Sequence, residues 1–448
     1  DPAAGWYFCT VSGKPGSTDR SVSAALILRV KPRFGGVFLS LLFENPPVKQ
    51  ISVTQPKLVA DFSCVGGECR EHCCQGWTIA FDKSSVNRYL NSKNAAIRQT
   101  AKTAIKVTKK QYGNWGEVIF HTESKNCPFM DTEKLCSIHS AMGAQALSPT
   151  CSSFPRTNRV YKNEIEKSLN LSCPEVTRLL LNDRESMSMM ESISVQQDVN
   201  NAPMIDLKAK VINLFCQNIF SVEGVSVEEQ VYAVVKFLMV AEKLDNIAEN
   251  IGTLETVYFS LVNELVSGKI KTELGGFNQN YSLKFALISL IQSYFTKKVT
   301  ARGGAVLNRY FTQLYQQFES AGDTVPAEKV MENIESVWRD VAGSYLATND
   351  HLFKNFFKYK LWEQGFPQNN GRSMLNNLYL IVAEFYFLKT LLAGQAIVAG
   401  KIEQDNIIDV IYSFHSLSQH NQEAGKLFHQ HIDSVKLGDD LSLLQLLI

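Results

Sequence analysis

The sequence predicts a mainly α protein, in which a cysteine-rich metal-binding N-terminal domain with short strands precedes an all-helical bundle-like domain. Three observations support this fold class. Eight of the ten cysteines lie between residues 64 and 173, short alternating apolar and polar runs flank them, and apolar residues recur at helical intervals from about residue 202. Because 448 residues exceed what one small core can hold, we divide the chain into an extension (1–50), a metal-cluster domain (51–200) and a helical domain (201–448).

Composition excludes some classes of partner. The net charge of +1 gives no bulk electrostatic attraction to nucleic acid or to a membrane surface. No apolar run reaches the roughly 18 residues that a transmembrane helix needs. Residues 36–43 follow basic residues and resemble a signal-peptide core, but no small-residue cleavage site follows them. We therefore expect a cytoplasmic protein that contacts neither nucleic acid nor membrane.

The N-terminal half contains short elements around the cysteines. Asp82 has the chemistry of a helix N-cap, and strand-like alternation ends at Pro56. The predicted elements are strands at Ile51–Pro56, Trp77–Phe81 and Glu117–His121, helices at Ser84–Asn91, Ala95–Lys109 and Glu175–Leu181, and a linker at Asn182–Asn201.

The C-terminal half is predicted to be helical almost throughout. Ser226 and Glu229 have the spacing of a capping box, and glycine or proline separates the apolar-periodic segments. Without a convincing repeat period, we predict a bundle and not a solenoid. The helical segments after Ser226 are Leu283–Tyr294, Val306–Phe318, Ala327–Leu346, His351–Trp362, Leu375–Leu392 and Gln404–His415.

The cysteines are predicted to hold a metal, because their clustering in a large, otherwise cysteine-poor chain favours metal ligation in a reducing compartment. Thiolates suit zinc and iron–sulfur clusters. The spacings are not those of a zinc ribbon, and adjacent cysteines point apart, so they serve two sites or one of them only packs. Scattered ligands suit a cluster, in which each thiolate binds a different iron; zinc is the less favoured metal. The candidate ligands are Cys64, Cys69, Cys73, Cys74, Cys127, Cys136, Cys151 and Cys173.

Two further interpretations of the cysteines follow from the pattern. Cys69 and Cys73 begin the spacing of a radical S-adenosylmethionine loop, but Gly76 stands where its third cysteine is needed, so we infer no radical chemistry. A disulfide-stabilised secreted protein stays open as an alternative. We expect Cys216, on an apolar helix face, to be a packing residue.

Several segments together resemble one family, the flagellin lysine-N-methylases. The similarity covers about residues 51–448 and is carried by the phrases Ile51–Pro56, Asp61–Cys64, Gly67–Trp77, Cys127–Asp131, Leu135–Ile138, Leu147–Cys151, Phe154–Arg156 and Leu171–Glu175. The resemblance implies methyl transfer from S-adenosylmethionine to lysine ε-amines of flagellin, in the cytoplasm before export. It also implies an iron–sulfur cluster, expected to be [4Fe–4S], and the eight cysteines carry over as candidate ligands.

Catalytic residues are not identified by the sequence. The lysine must lose a proton before it attacks, and the side chains near the cysteines that could assist are Glu68, Glu71, Tyr112, Asp131, Glu133 and Tyr161, for which a solvated or structural role is the alternative. Arg156 is the candidate for binding a cofactor carboxylate as a bidentate fork, with a structural salt bridge as the alternative. A second function stays open: a non-catalytic iron- or zinc-binding structural or interaction protein.

Overall fold

The computed structural model describes residues 49–196, 201–295, 301–322, 324–367, 371–418, 430, 433–434 and 440–448. The predicted extension and the apolar run at 36–43 lie outside the described residues, apart from residues 49 and 50. Helix accounts for 60% of the described residues and strand for 12%, so the mainly α class with N-terminal strands is confirmed.

The N-terminal half alternates short strands and helices. Its elements in chain order are β1 (Lys49–Pro56), α1 (Lys57–Asp61), β2 (Ala80–Phe81), α2 (Lys83–Leu90), α3 (Ala95–Ala104), β3 (Ile105–Gln111), β4 (Asn114–Val118), α4 (Ser137–Met142), α5 (Pro149–Ser153), β5 (Arg156–Val160), β6 (Glu164–Leu169), α6 (Pro174–Asn182) and β7 (Met189–Gln196).

These strands form two sheets. The four-stranded sheet has the order β5-β6-β1-β7, with β1 and β6 parallel and the other pairs antiparallel. The three-stranded antiparallel sheet has the order β2-β4-β3. Val53 of β1 lies opposite Ile165 of β6, and both side chains are buried on the same face. From β1 of the four-stranded sheet the chain enters the cysteine-rich segment, and it returns to the same sheet at β5 and β6.

Four predictions for this half are wrong in part. The helix predicted over Ala95–Lys109 ends at Ala104, because Ile105, Val107 and their neighbours pair with β4 as a strand. The linker predicted at Asn182–Asn201 contains β7, which pairs along its whole length with β1. The strand predicted over Trp77–Phe81 is reduced to Ala80–Phe81, and that over Glu117–His121 is shifted to Asn114–Val118.

The C-terminal half is a set of packed helices. They are α7 (Leu207–Ile219), α8 (Val227–Ala241), α9 (Ile247–Val266), α10 (Lys269–Leu274), α11 (Tyr281–Phe295), α12 (Gly304–Ala321), α13 (Ala327–Val337), α14 (Gly343–Thr348), α15 (His351–Glu363), α16 (Met374–Ala399) and α17 (Gln404–Ser418). The capping box at Ser226 is confirmed: its Oγ accepts the Glu229 N–H at 3.2 Å. Cys216 is fully buried on α7, as predicted.

The longest helix, α16, forms the centre of this half. By length and composition alone it resembles a membrane span, the single such helix in the described ranges, but 78% of its apolar window is buried inside the protein. It packs against α12, α13 and α17. Its apolar surface is therefore accounted for by helix packing.

The apolar side chains form one large and one small core. The large core joins the C-terminal helices to α1, α6 and the end of β6, so it includes Leu58, Leu169 and Cys173. The small core lies between α2, α3 and the three-stranded sheet and extends from Ile79 to Ala146. The cysteine-rich loops lie where these two cores meet.

Candidate functional site

The first four cysteines lie in a loop between α1 and β2. Cys64 is exposed and Cys69, Cys73 and Cys74 are half-buried. Main-chain carbonyl groups hold the loop: the Cys69 Sγ donates to the Glu71 oxygen at 3.2 Å, and the Trp77 Nε1 donates to the Cys73 oxygen. The loop therefore keeps its shape by hydrogen bonds instead of by regular secondary structure.

Hydrogen bonds also bring the later cysteines to this loop. The Cys127 N–H donates to the Cys74 oxygen at 2.8 Å, and the Met130 N–H donates to the Cys127 oxygen at 2.9 Å. Met130 in turn forms a β-bridge with Cys136. The Cys151 N–H donates to the Ser148 Oγ at 3.3 Å at the start of α5. Residues more than 50 positions apart are thus fixed next to one another.

The described cysteines are all free thiols. Burial raises the pKa of Cys127 and Cys173 to about 12 and that of Cys151 to about 11. A hydrogen bond between the adjacent Cys73 and Cys74 lowers the pKa of Cys73 and raises that of Cys74. The described cysteines therefore form no disulfide with one another, and the alternative of a disulfide-stabilised protein gains no support.

The thiols are near enough to influence one another electrostatically. Ionised Cys73, Cys127 and Cys136 each raise the pKa of Cys74, and the pKa of Cys127 is raised by Cys151, Cys136 and Cys73 in that order, after burial. Cys73 and Cys64 also raise the pKa of Cys69, and Cys69 raises that of Cys173, so Cys73 connects the two groups. All eight candidate ligands therefore meet in one region of the protein.

The donor set fits a metal–sulfur cluster by its chemistry. In the described ranges, no three or more histidine, cysteine, aspartate or glutamate side chains form a group that would hold a single metal ion. A cluster sets a different requirement, because each thiolate binds a different iron and its ligands stand further apart than those of one tetrahedral ion. The eight clustered cysteines are free, and all but Cys64 are partly or fully buried, so they meet that requirement in type and number.

Sequence reasoning missed Arg302, which the helical half contributes to this region. Its side chain is buried, and its Nε and Nη2 donate to the main-chain oxygens of His72 (2.9 Å) and Glu71 (3.2 Å). Its Nη1 donates to the Ser416 Oγ of α17 at 3.1 Å. The charge of Arg302 lowers the pKa of Cys69, Cys73 and Cys173, although burial or a hydrogen bond has the larger effect on each.

Two glycines allow the loop and the helices to approach each other. Gly76 has a φ of +69°, and a Cβ there would lie 2.8 Å from the Arg302 nitrogen. Gly303, with a φ of +77°, donates its N–H to the Glu71 Oε1 at 2.9 Å, and a Cβ there would lie 2.7 Å from the Ser413 oxygen. A side chain at either position would separate the cysteine loop from the start of α12.

Two polar atoms beside the cysteines are buried without a hydrogen-bond partner among the described residues, Glu71 Oε2 and His72 Nε2. Burial raises the pKa of the Glu71 carboxyl and lowers that of the His72 imidazole. Both effects favour the uncharged form of each group.

The other predicted site residues are more scattered. Arg156 is exposed at the start of β5, with its guanidinium 5.1 Å from the Phe62 ring, and none of the described carboxylates forms a salt bridge with it. Glu68, Tyr112 and Glu133 are exposed, and the Asp131 Oδ1 accepts the N–H groups of its own turn. Among the six side chains considered as helpers, only Glu71 and Tyr161 are withdrawn from solvent.

A family profile and individual related proteins both identify relatives of this chain. The family profile described as "FliB lysine N-methylase C-terminal domain" matches residues 213–446. Proteins named lysine-N-methylase from Salmonella choleraesuis and Salmonella typhimurium are each 40% identical over 401 residues, which are 89% of this chain and 100% of theirs. The flagellar biosynthetic protein FliU of Salmonella muenchen is 48% identical over 147 residues, 33% of this chain and 87% of its own.

No solved structure matches the chain significantly. The sequence relatives nevertheless span its cysteine-rich and helical halves at an identity that establishes kinship. The chain belongs to the lysine N-methylase family and is a protein-lysine methyltransferase.

Proposed function

We propose that this enzyme transfers methyl groups from S-adenosylmethionine to lysine side chains of flagellin in the cytoplasm, and that its cysteine-rich segment binds a [4Fe–4S] cluster. The observation that carries the cluster is the convergence of free thiols from separate loops. Cys74, Cys127, Cys136 and Cys151 all pack against the small core, and we call these four the core thiols. We assign the cluster to them.

The choice of substrate rests on the relatives. A lysine methylase acts on a protein, and FliU and FliV of Salmonella muenchen carry flagellar names. Flagellin is the flagellar protein implied by the family resemblance. Membership of a methyltransferase family favours a catalytic protein over the alternative of a purely structural metal-binding protein.

The reaction makes two demands on the protein. The amine nitrogen forms a bond to the methyl carbon as the bond from that carbon to the donor sulfur breaks, so the lysine must first lose a proton. The amine and the methyl group must also be held in line. Glu71, whose carboxyl has a pKa raised by burial, and the buried Tyr161 are suited to accept or orient that proton.

The core thiols would hold the cluster, which would supply a fixed negative charge among the loops. Arg156, which forms no salt bridge with the described carboxylates, would supply a cation nearby. Arg156 lies opposite Leu169 in the β5–β6 pair. Leu169 is the last residue of β6 and precedes Cys173 by four residues. A guanidinium without a carboxylate partner can bind the donor's carboxylate with two parallel hydrogen bonds. We therefore propose Arg156 as the residue that binds the methyl donor.

The experiment is anaerobic purification followed by metal, sulfide and activity assays. The protein is expected to be brown, to contain iron and acid-labile sulfide, and to add mass to flagellin in steps of one methyl group when the donor is present. Protein without iron, or flagellin without added methyl groups, would contradict the respective part of the proposal.

A substitution tests the donor site. Arg156→Gln should raise the KM for S-adenosylmethionine about tenfold or more, because a hydrogen-bonded charge pair contributes about 1.5–3 kcal/mol. Its iron content should not change. Arg178→Gln is the matched control, because Arg178 is also partly exposed but already pairs with Glu175. An unchanged donor KM in Arg156→Gln would remove Arg156 from the site.

A further inference from the structure

The loop that carries Cys74 is joined to the helical half by hydrogen bonds from one arginine. Arg302 precedes α12, and its Nε and Nη2 donate to the main-chain oxygens of His72 at 2.9 Å and Glu71 at 3.2 Å. Its own main-chain N–H donates to the Gly76 oxygen at 3.4 Å. Arg302 therefore holds the loop both before and after Cys74.

The third side-chain nitrogen of Arg302 extends this contact to a second cysteine-bearing segment. The Arg302 Nη1 donates to the Ser416 Oγ of α17 at 3.1 Å. The Ser416 Oγ in turn donates to the Ser172 oxygen at 3.2 Å, and Ser172 immediately precedes Cys173. One chain of hydrogen bonds thus connects the first cysteine loop with the turn before α6 through the helical half.

The guanidinium of Arg302 is withdrawn from water. Arg302 is 3% exposed, and its guanidinium lies 5.9 Å from the centre of the Phe154 ring. A buried donor that loses its partner costs free energy, and hydrogen bonds that involve a charged group are stronger than those between neutral groups. Because water cannot replace the loop oxygens, a shift of the loop would leave donors of Arg302 unsatisfied.

On its other side the loop is tied to the segment of the later cysteines. The Cys74 oxygen accepts the Cys127 N–H at 2.8 Å, and the Gly76 N–H donates to the Lys125 oxygen at 3.0 Å. The loop from Cys69 to Trp77, which the structure describes completely, contains no helix or strand. Its position is therefore set by these contacts. Cys74 is the one core thiol in this loop, and the other three follow Lys125 in the chain.

We infer that Arg302 is a positioning residue: it holds the loop so that Cys74 joins the other core thiols, and it makes cluster binding depend on docking of the helical half. This inference rests on the proposed function, which assigns the cluster to the core thiols. Coupling between two events acts equally in both directions. A cluster bound at Cys74 would therefore also fasten the start of α12 to the loop.

The first test is the rate at which a chelator removes iron from the anaerobically purified full chain. Arg302→Gln loses the charge and most of the donors, so iron should leave about tenfold faster or more, the factor expected for a lost hydrogen bond to a charged group. Arg302→Lys keeps the charge without the planar fork and should lie between the two. Ser416→Ala removes a single neutral acceptor and should give an increase of about threefold.

A matched control separates this role from a general loss of contact between the halves. Arg159 also donates to main-chain oxygens of the helical half, those of Trp362 and Glu363, but at α15. Arg159→Gln should release iron at the rate of the unmodified protein. The electron paramagnetic resonance spectrum of the reduced cluster should change in Arg302→Gln and not in Arg159→Gln, because hydrogen bonds and ligand arrangement affect the cluster's electronic properties.

The outcomes of these substitutions are decisive in either direction. Equal iron release in Arg302→Gln and Arg159→Gln, or an unchanged spectrum in Arg302→Gln, would overturn the role of Arg302. If circular dichroism shows that Arg302→Gln does not fold, Arg302→Lys and Ser416→Ala are compared with the control instead. Iron release at the control rate in both of these variants would overturn it equally.

Removing the iron tests the coupling without a substitution. The main-chain N–H groups of Arg302 and Gly303 donate to the Gly76 oxygen and to the Glu71 Oε1. Both should exchange hydrogen about fivefold faster or more in iron-free protein, whereas the amides of α16 should not change. Equal exchange with and without iron would overturn the coupling and leave the proposed function intact. Purified protein that contains no iron would overturn both.

Discussion

The helical half and the cysteine segment balance their buried charges in different ways. In the helical half, the Lys360 Nζ lies 2.8 Å from a Glu384 oxygen, and the His415 Nε2 lies 3.0 Å from the other, all within the core. In the cysteine segment, the buried Arg302 donates hydrogen bonds to main-chain oxygens, and its charge lowers the pKa of the Glu71 carboxyl and of Cys69 against the larger effect of burial. The helices therefore pair their buried charges directly, whereas Arg302 is held mainly by neutral main-chain oxygens.

Removing the Glu384 charge from the helical half should give the largest loss of stability. Glu384→Gln leaves Lys360 buried with a neutral partner, and breaking a buried ion pair costs about 3–5 kcal/mol. The free energy of unfolding in urea measures this change. Glu403→Gln is the control, since its pair with Lys401 is exposed and such pairs contribute about 0–1 kcal/mol. Similar losses in both variants would mean that the buried pair adds no stability.

Lowering the pH should show the contribution of the Glu384 charge to stability without a mutation. Although burial opposes it, the neighbouring Lys360 and His415 hold the pKa of Glu384 at about 2, below the ordinary 4.5. A carboxyl with a depressed folded-state pKa contributes stability above its unfolded pKa and loses it as the pH falls toward the folded value. We expect a loss of about 3 kcal/mol between pH 4.5 and pH 2. This component should be absent from the pH profile of Glu384→Gln.

The close contact between the cysteine loop and Arg302 should be the next most sensitive to substitution, as measured by the free energy of unfolding. Gly76→Ala places a Cβ 2.8 Å from the Arg302 nitrogen at a φ of +69°, so we expect a loss of about 2–3 kcal/mol from strain and displacement together. Gly224→Ala has a similar φ of +73° but nothing within 4 Å and should lose about 1 kcal/mol. Chemical unfolding compares them. Equal losses would show that the close approach to Arg302 is not required.

The smallest loss of stability is expected on substitution of Cys216, a cysteine of the helical half. This cysteine is fully buried on α7 and far in sequence from the clustered ones. Cys216→Ala should cost about 1 kcal/mol, because a small buried side chain leaves a small cavity. Its iron content should equal that of the unmodified protein. A loss of iron would place Cys216 among the ligands and contradict its packing role.

The helical half was the more predictable region. Apolar residues at helical spacing are a local signal, so α11, α12, α15 and α17 agree with the predicted segments within a few residues. The strand β7 was missed because its exposed side includes Ile193 and Val195 while its inner side carries Ser192 and Ser194. Only its pairing with β1 makes that segment a strand.

The candidate site was predictable in type but not in arrangement. The cysteines themselves identified the segment of the candidate site, because their number and clustering are visible in the sequence. Their grouping depends on contacts such as Cys127 to Cys74, which join residues far apart in the chain. Arg302 was missed because no local pattern indicates that its side chain reaches a residue 230 positions earlier.

The position of Arg302 has a consequence for how the enzyme is made in the cell. During synthesis, Cys64 to Cys173 leave the ribosome well before the arginine that closes over their loop. Chains are elongated at roughly 5–20 residues per second, so the newborn cysteine segment stays uncovered for many seconds. The proposed cluster could therefore be assembled on the cysteine segment before the helices dock against it.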